Sequence, residues 1–285
     1  MKHLNRELHK INYVHLPDNR SMLDVQPLDY ANPYNYKQLH RHDYFEIILV
    51  KCGEGKQLID FANLALSKGK VFTIYPGQIH LLKRNTADGL VLQFRKNIFE
   101  HLYPLKHHNF YNKLPEQYCD SDTFVHLYDL ADRIRVILHG TAEMSPLSLQ
   151  KACGYLHIIL ISLLEMQQER ASDNKVSMTL AQFVSLITDH ISEKKKVSEY
   201  AELMRCQPDK LNELCKKGFG RTALEIIHEE LLLEIRRLLL LGELSLKEIA
   251  YELNFDTPGN FNAFVKSKTG MTPGQLQQSV REIYN

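Results

Sequence analysis

The stretch Ser245–Gly270, SLKEIAYELNFDTPGNFNAFVKSKTG, decides how the chain folds. Ser245 and Glu248 have the spacing of a capping box, which satisfies two amides that a helix start leaves without partners. Asn254 tolerates left-handed backbone better than most residues and marks a turn. Thr257–Pro258 then supplies a capping hydroxyl and a proline at the first position of a second helix, which Gly270 ends. A capped apolar helix, a polar turn and a helix with a small, amide-rich outer face make a helix-turn-helix plan.

The plan occurs twice. SEYAELMRCQ (Ser198–Gln207) lies over KEIAYELNFD (Lys247–Asp256), with Glu199 and Ala201 matching Glu248 and Ala250. After one inserted residue, Leu211, Leu214, Lys216, Gly220 and Thr222 lie over Phe261, Phe264, Lys266, Gly270 and Thr272. The small alanine at the same point of each first helix lets the second helix cross closely. With Leu211, Leu214, Phe261 and Phe264 inward, the first unit presents Asp209, Lys210, Asn212, Glu213, Lys216 and Lys217. The second presents Thr257, Gly259, Asn260, Asn262, Ala263 and Lys266. Amides and hydroxyls near a helix N-terminus suit base edges, and lysines near the C-terminus suit phosphates. The apolar helix expected between the units, from Ala223 to Leu241 and ended by Gly242, measures about 28 Å at 1.5 Å per residue. One turn of B-DNA is about 34 Å, so two such helices match successive major grooves on one face of the duplex.

These residues resemble the DNA-binding domain of the AraC/XylS family of bacterial transcription regulators. EIAYELNFDTPGNFNAFVKSKTGMTPGQL resembles the family pattern of Ile-Ala, an aromatic after the turn, Phe, Lys and then Gly-x-Thr-Pro. The resemblance covers roughly 100 residues in two units, counted on the pattern of the repeat. It implies that the helices around Pro208–Lys217 and Thr257–Ser267 are the recognition helices. Three positions depart: Asn254 replaces the usual Gly before the turn aromatic, and Leu231 and Ala263 stand where the family often has Arg. Fewer cationic positions imply modest affinity for each domain and a need for dimerisation.

Composition is consistent with local clusters as the source of any DNA affinity. Among 285 residues the formal net charge is +1, and dividing the chain near residue 175 leaves both parts close to neutral. A uniformly basic nucleic-acid module is therefore excluded. The five cysteines are odd in number and scattered, as expected of reduced thiols in a cytoplasmic protein. The start, MKHLNRELHK, has no apolar signal segment, and the longest apolar run, YLHIILISLL, is about half a bilayer span. No membrane association is expected.

Upstream, FEIILV, a strand beginning with Gln57, Ile59 and Phe61, VFTIYPG and GLVLQF read as short strands punctuated by Gly and Pro, the pattern of a small sandwich or barrel. Helical periodicity begins near residue 121, and Ser145–Pro146 opens a helix with Ala152, Leu156, Ile159, Leu160 and Leu163 on one face. That helix packs on its own domain or forms a dimer seam. Polar, aperiodic QQERASDNK (Gln167–Lys175) divides the chain into residues 1–172 and 173–285, and Thr179 is placed to cap the next helix.

His40, His42, Glu46, Gly53 and His80 resemble the cupin motif His-x-His-x3-Glu-x6-Gly followed by Pro/Gly and His. The resemblance implies a cupin-like barrel and two uses for the site. His40, His42, Glu46 and His80 form a ligand set for one divalent ion. Alternatively, they line a small-molecule pocket with Phe72 and with Phe45, Ile47, Ile59 and Ile74. A metal cupin enzyme and a metal-sensing regulator are the competing readings. No Ser-His-Asp arrangement, phosphate-cradling loop or spaced cysteine cluster points to other catalysis.

The expected fold is α+β: an N-terminal cupin-like β-barrel with helices, then an all-α domain with two helix-turn-helix motifs. The expected function is a cytoplasmic, homodimeric, non-enzymatic regulator that binds double-stranded operator DNA. An unidentified small-molecule effector is expected to control it, by altering the dimer contact or the interdomain packing, with no metal cofactor required. The family resemblance implies activation through RNA polymerase, with repression left open.

Overall fold

The computed structural model describes residues 22–29, 38–100, 102, 116–140, 145–170 and 178–282. They form two compact units, one within Tyr13–Asn174 and one within Lys175–Asn285. The expected boundary between residues 172 and 173 lies outside the described residues.

The first unit is built on two antiparallel sheets. One has the order β1 (Leu23–Pro27), β7 (Asp88–Phe94), β2 (Phe45–Cys52), β5 (Lys70–Ile74) and β8 (Glu116–Tyr118). The other has the order β4 (Ala62–Leu66), β3 (Gly55–Ile59) and β6 (His80–Arg84). Ahead of β2, the backbones of His40 and His80 exchange N–H···O bonds of 3.2 and 2.9 Å, an isolated bridge that ties the segment before β2 to the β6 edge of the second sheet. The expected cupin-like fold takes the form of two antiparallel sheets with helices.

The unbroken apolar run of β2 has a physical reason. Its sheet is buried on both faces, which removes the usual in–out alternation. Phe45, Ile47 and Leu49 enter one core with helices α1 (Ser121–His139) and α2 (Pro146–Arg170), while Ile48 and Val50 enter the other with Ile59, Leu66 and Phe72. Phe45 and Ile47 therefore cannot line an inter-sheet pocket, which corrects the expectation above. Phe61 is corrected too: Asp60, at φ 49°, turns the chain after β3, so Phe61 belongs to that turn. Gly89 allows the closest approach in the sheet, since a Cβ there would lie 1.9 Å from the Leu49 carbonyl oxygen.

Local caps begin the two helices of this unit. Asp120 accepts the N–H groups of Asp122 and Thr123, and the Ser145 hydroxyl accepts that of Ser148 at 3.1 Å. Among the described residues, Pro146–Met166 is one helix long and apolar enough in composition to cross a membrane, more than its ten-residue apolar run suggested. It is used here as a core helix: Ala152, Leu156, Ile159, Leu160 and Leu163 are buried in the cluster that also holds residues of α1 and the sheet.

The second unit comprises α3 (Met178–His190), α4 (Val197–Leu203), α5 (Pro208–Phe219), α6 (Ala223–Leu241), α7 (Leu246–Glu252), α8 (Pro258–Thr269) and α9 (Pro273–Glu282). Since α3 starts at Met178, Thr179 lies inside its first turn and is not its cap. The duplication is structural. α4 and α7 each have 7 residues, and α5 and α8 each have 12. Arg205 and Asn254 occupy the same turn position at φ 52° and 51°, and Gly220 and Gly270 end the second helices at φ 68° and 74°. Glu199 and Glu248 accept the N–H groups of Lys196 and Ser245, each at 2.7 Å. Thr257 accepts from the Asn260 N–H and Thr272 from that of Gln275, as their sequence placed them.

Asn tolerates the left-handed turn, but Arg is strained there by about 1–2 kcal/mol. Arg205→Gly is expected to raise unfolding stability by roughly 0.5–1 kcal/mol, after the added flexibility of the unfolded glycine is subtracted. Urea denaturation should show that gain, whereas Asn254→Gly should change little.

Candidate nucleic-acid interface and inter-sheet polar cluster

The helix α6 sets the frame for both reader units. Ile227, Leu231, Ile235 and Leu239 are fully or almost fully buried along it, and it packs against both α5 and α7. Leu231, where the family often has Arg, is thus a core residue with no side chain to offer to phosphate. Thr222 and Glu225 form the capping box that starts this helix, and Gly242 ends it at φ 68°.

On α5, Leu211 and Cys215 are buried and Leu214 is half-buried. On α8, Phe261 and Val265 are buried, while Phe264 is half-buried against His228 and Phe255 at centroid distances of 5.3 and 5.6 Å. Cys215 and Val265, four residues after the inward Leu211 and Phe261, were missed as core positions; helical spacing alone could have found them.

Asp209, Lys210, Glu213, Lys216 and Lys217 are exposed on α5, as expected. Thr257, Gly259, Asn260, Asn262, Ala263 and Lys266 are exposed on or beside α8, as is the overlooked Lys268. Asn212 differs. It is half-buried, and its side-chain oxygen accepts the Ala223 N–H at 3.0 Å, which turns it towards the start of α6. Lys210 pairs with Glu213 at 3.0 Å, an exposed ion pair of small energetic weight.

In the first unit the structure gathers His42, Glu46 and His80 between the sheets, with one ligand atom from each lying within 4.8 Å of the others. His40 sits beside them, its ring 4.3 Å from that of His80, while its Nδ1 lies 3.0 Å from the Gln38 carbonyl oxygen. Phe72 lies opposite Ile48 on β5, two residues along from the Glu46–Ile74 pair, and forms apolar wall in the same inter-sheet core. Sequence reasoning missed three polar neighbours. Tyr44 stacks on His42 at 3.9 Å, Gln93 donates to Glu46 at 2.8 Å, and the Gln57 amide lies 3.3 Å from His80 Nδ1. A glutamine in phase with the inward apolar residues of its strand, Ile59 for Gln57 and Val91 for Gln93, was the available signal.

Burial governs the charge of this cluster. It lowers the His42 pKa to about 3, holds those of His80 and His40 below the usual imidazole value, and raises Glu46 to about 7. Near neutrality the imidazoles are uncharged, with their lone pairs available. Among the described residues, both ring nitrogens of His42 and Nε2 of His80 lack a hydrogen-bond partner of good geometry, an unfavourable state for buried polar atoms. The donor set therefore fits two occupants: a polar group of a small molecule, or a divalent ion held by His42, Glu46 and His80 with Gln93 steadying the carboxylate.

Comparison with known proteins matches residues 28–95 to the AraC-like ligand binding domain and residues 200–279 to a helix-turn-helix domain, together more than half of the chain. The HTH-type transcriptional activator RhaS of Salmonella arizonae is 21% identical over 286 residues, covering 95% of this chain and 96% of that protein. RhaS of Escherichia coli is 20% identical over 249 residues, covering 84% and 87%. Among solved structures, ToxT from Vibrio cholerae aligns with a TM-score of 0.40 at 12% identity, covering 90% of this chain and 97% of that one.

The buried carboxyl gives a pH signature. The folded pKa of Glu46 exceeds its unfolded value of 4.5, so its contribution is present at low pH and lost as pH rises through about 7. In chelator-treated protein, Glu46→Gln should stabilise the first unit above about pH 7 and have little effect below about pH 4.5. At about 1.4 kcal/mol per pH unit, the gain has an upper bound on the order of 3 kcal/mol. Thermal unfolding of both proteins across that range measures it.

Proposed function

We propose, for a chain that belongs to the AraC/XylS family of transcription regulators, that α5 and α8 enter successive major grooves of double-stranded operator DNA. We assign this role to residues 173–285, with residues 1–172 as the effector-binding and dimerisation domain. The observation that supports it best is the repeat itself: two helices of equal length, each behind the same left-handed turn, flanking one 19-residue spacer with a buried apolar face. Lys210, Lys216 and Lys217 would contact DNA in the first unit, whose face also carries Asp209 and Glu213, and Thr257, Gly259, Asn260, Asn262 and Lys266 would contact it in the second.

The effector in this reading is a small molecule between the two sheets. Its polar group meets His42, Glu46 and His80, with His40 beside them, and its apolar part faces Phe72. No metal is required, and no enzymatic step is part of the function. The protein acts in the cytoplasm as an activator that works with RNA polymerase. Effector binding changes the fraction of molecules whose reading helices suit the operator.

Dimerisation is assigned to the outer face of α2. Leu147, Ile158 and Ile161 are 75%, 44% and 37% exposed, and beside Gly154 there is open space. A second copy of the chain is the occupant this face suits, because an isologous contact pairs the helix with itself. Ile158→Glu combined with Ile161→Glu should yield monomers by sedimentation and weaken DNA binding, with the fold intact by circular dichroism. Variants that remain dimeric would place the seam elsewhere.

Few outward cations should give DNA binding a shallow salt dependence. Lys216→Ala and Lys266→Ala should each weaken binding to all sequences alike and lower the salt slope by about one. The orphan ring nitrogens of His42 and His80 favour a second reading, a metal-sensing regulator. The same titration after chelation separates the two. Unchanged binding and effector response support the reading without metal; loss of both in chelated protein and in His42→Ala would replace it.

A further inference from the structure

The two reader units, matched in backbone, use an asparagine at the same position of the second helix in different ways. Asn212 and Asn262 occupy equivalent places, 50 residues apart in the repeat. The residue that opens the following helix is Ala223 in the first unit and Pro273 in the second. Ala223 has an N–H, and Asn212 accepts it at 3.0 Å. Proline has no N–H to give. Asn262 is exposed on α8, with its amide unclaimed by any described residue, whereas Asn212 is half-buried and committed.

The rest of the two faces follows the same division. α5 presents Asp209 and Glu213 where α8 has Gly259 and Ala263, so only α5 brings carboxylates towards the phosphates. Lys216 and Lys266 are the one cation shared by both faces. Amides read base edges through paired donor and acceptor groups, whereas lysines near a helix end chiefly hold the backbone.

We infer that the duplicated reader is unequal: α8 discriminates bases through Asn260 and Asn262, while α5 holds the DNA backbone through Lys216 and Lys217. Asn212 is a positioning residue that locks α5 to the start of α6. The inference rests on the DNA-binding reading above and adds to it a prediction about the operator, with strong base preference in one half-site and weak preference in the other.

Selection of bound duplexes from a random-sequence pool by the full-length protein tests it. The expected result is an asymmetric motif. Asn260→Ala with Asn262→Ala should erase the preference in the strong half-site, with a loss of about tenfold or more on the selected duplex. Asp209→Ala with Glu213→Ala should leave the motif in place and tighten binding several-fold, because two like charges are withdrawn from the phosphates. Asn212→Asp keeps the acceptor for Ala223 and should keep both motif and thermal stability; Asn212→Ala should lower stability and keep the motif. A motif with two equally strong halves overturns the inference alone. So does a change of base preference in Asn212→Asp or in the Asp209/Glu213 variant. A pool that yields no motif overturns the DNA-binding reading as well.

Discussion

The second unit depends on the burial of one helix. α6 hides Ile227, Leu231, Ile235 and Leu239 while it packs against elements of both reader units. A helix of 19 residues is stiff at about 28 Å, so units that bury their apolar faces on it acquire a fixed separation. Burial of a Leu or Ile side chain contributes about 1.5–3 kcal/mol. The spacing that suits a duplex is therefore maintained by the same residues that keep the unit folded, and Leu231 shows which demand has priority at its position.

The first unit works under a different constraint. A five-stranded sheet with helices on one face and a second sheet on the other has no solvated face, so polar residues on its central strand are buried whatever their use. Glu46, the inward polar residue of β2, keeps its place through the Gln93 amide and a raised pKa. The neighbouring histidines keep theirs by remaining neutral. Such a cluster is expensive in an apolar core unless something binds there, which is the physical reason to connect it with ligand recognition.

Much of the second unit was legible in the sequence because its signals are local. Ser245 with Glu248, Thr257–Pro258, Asn254 and Gly270 each fix backbone geometry within four residues of themselves, and every one lies where its chemistry predicts. The misreadings share the opposite character. Which face Phe45 and Ile47 take depends on strands as distant in sequence as β7, and the role of Asn212 depends on an N–H eleven residues on, across a turn. The four-residue motif of histidines and glutamate was legible, but Tyr44, Gln57 and Gln93 joined it only through strand pairing. Phe61 reads as strand by composition and is overruled by the left-handed backbone of Asp60.

β2 has a further property that follows from its position. Its odd-numbered residues Phe45, Ile47 and Leu49 belong to the helix layer, and its even-numbered residues Ile48 and Val50 belong to the space between the sheets. A close-packed interior leaves a strand no slack to yield on one side only. If an effector binds at this cluster as proposed, a shift of Glu46 by a fraction of an ångström would reach side chains that touch α1 and α2, and the ladder would act as a shared diaphragm between that chamber and the helical wall behind it.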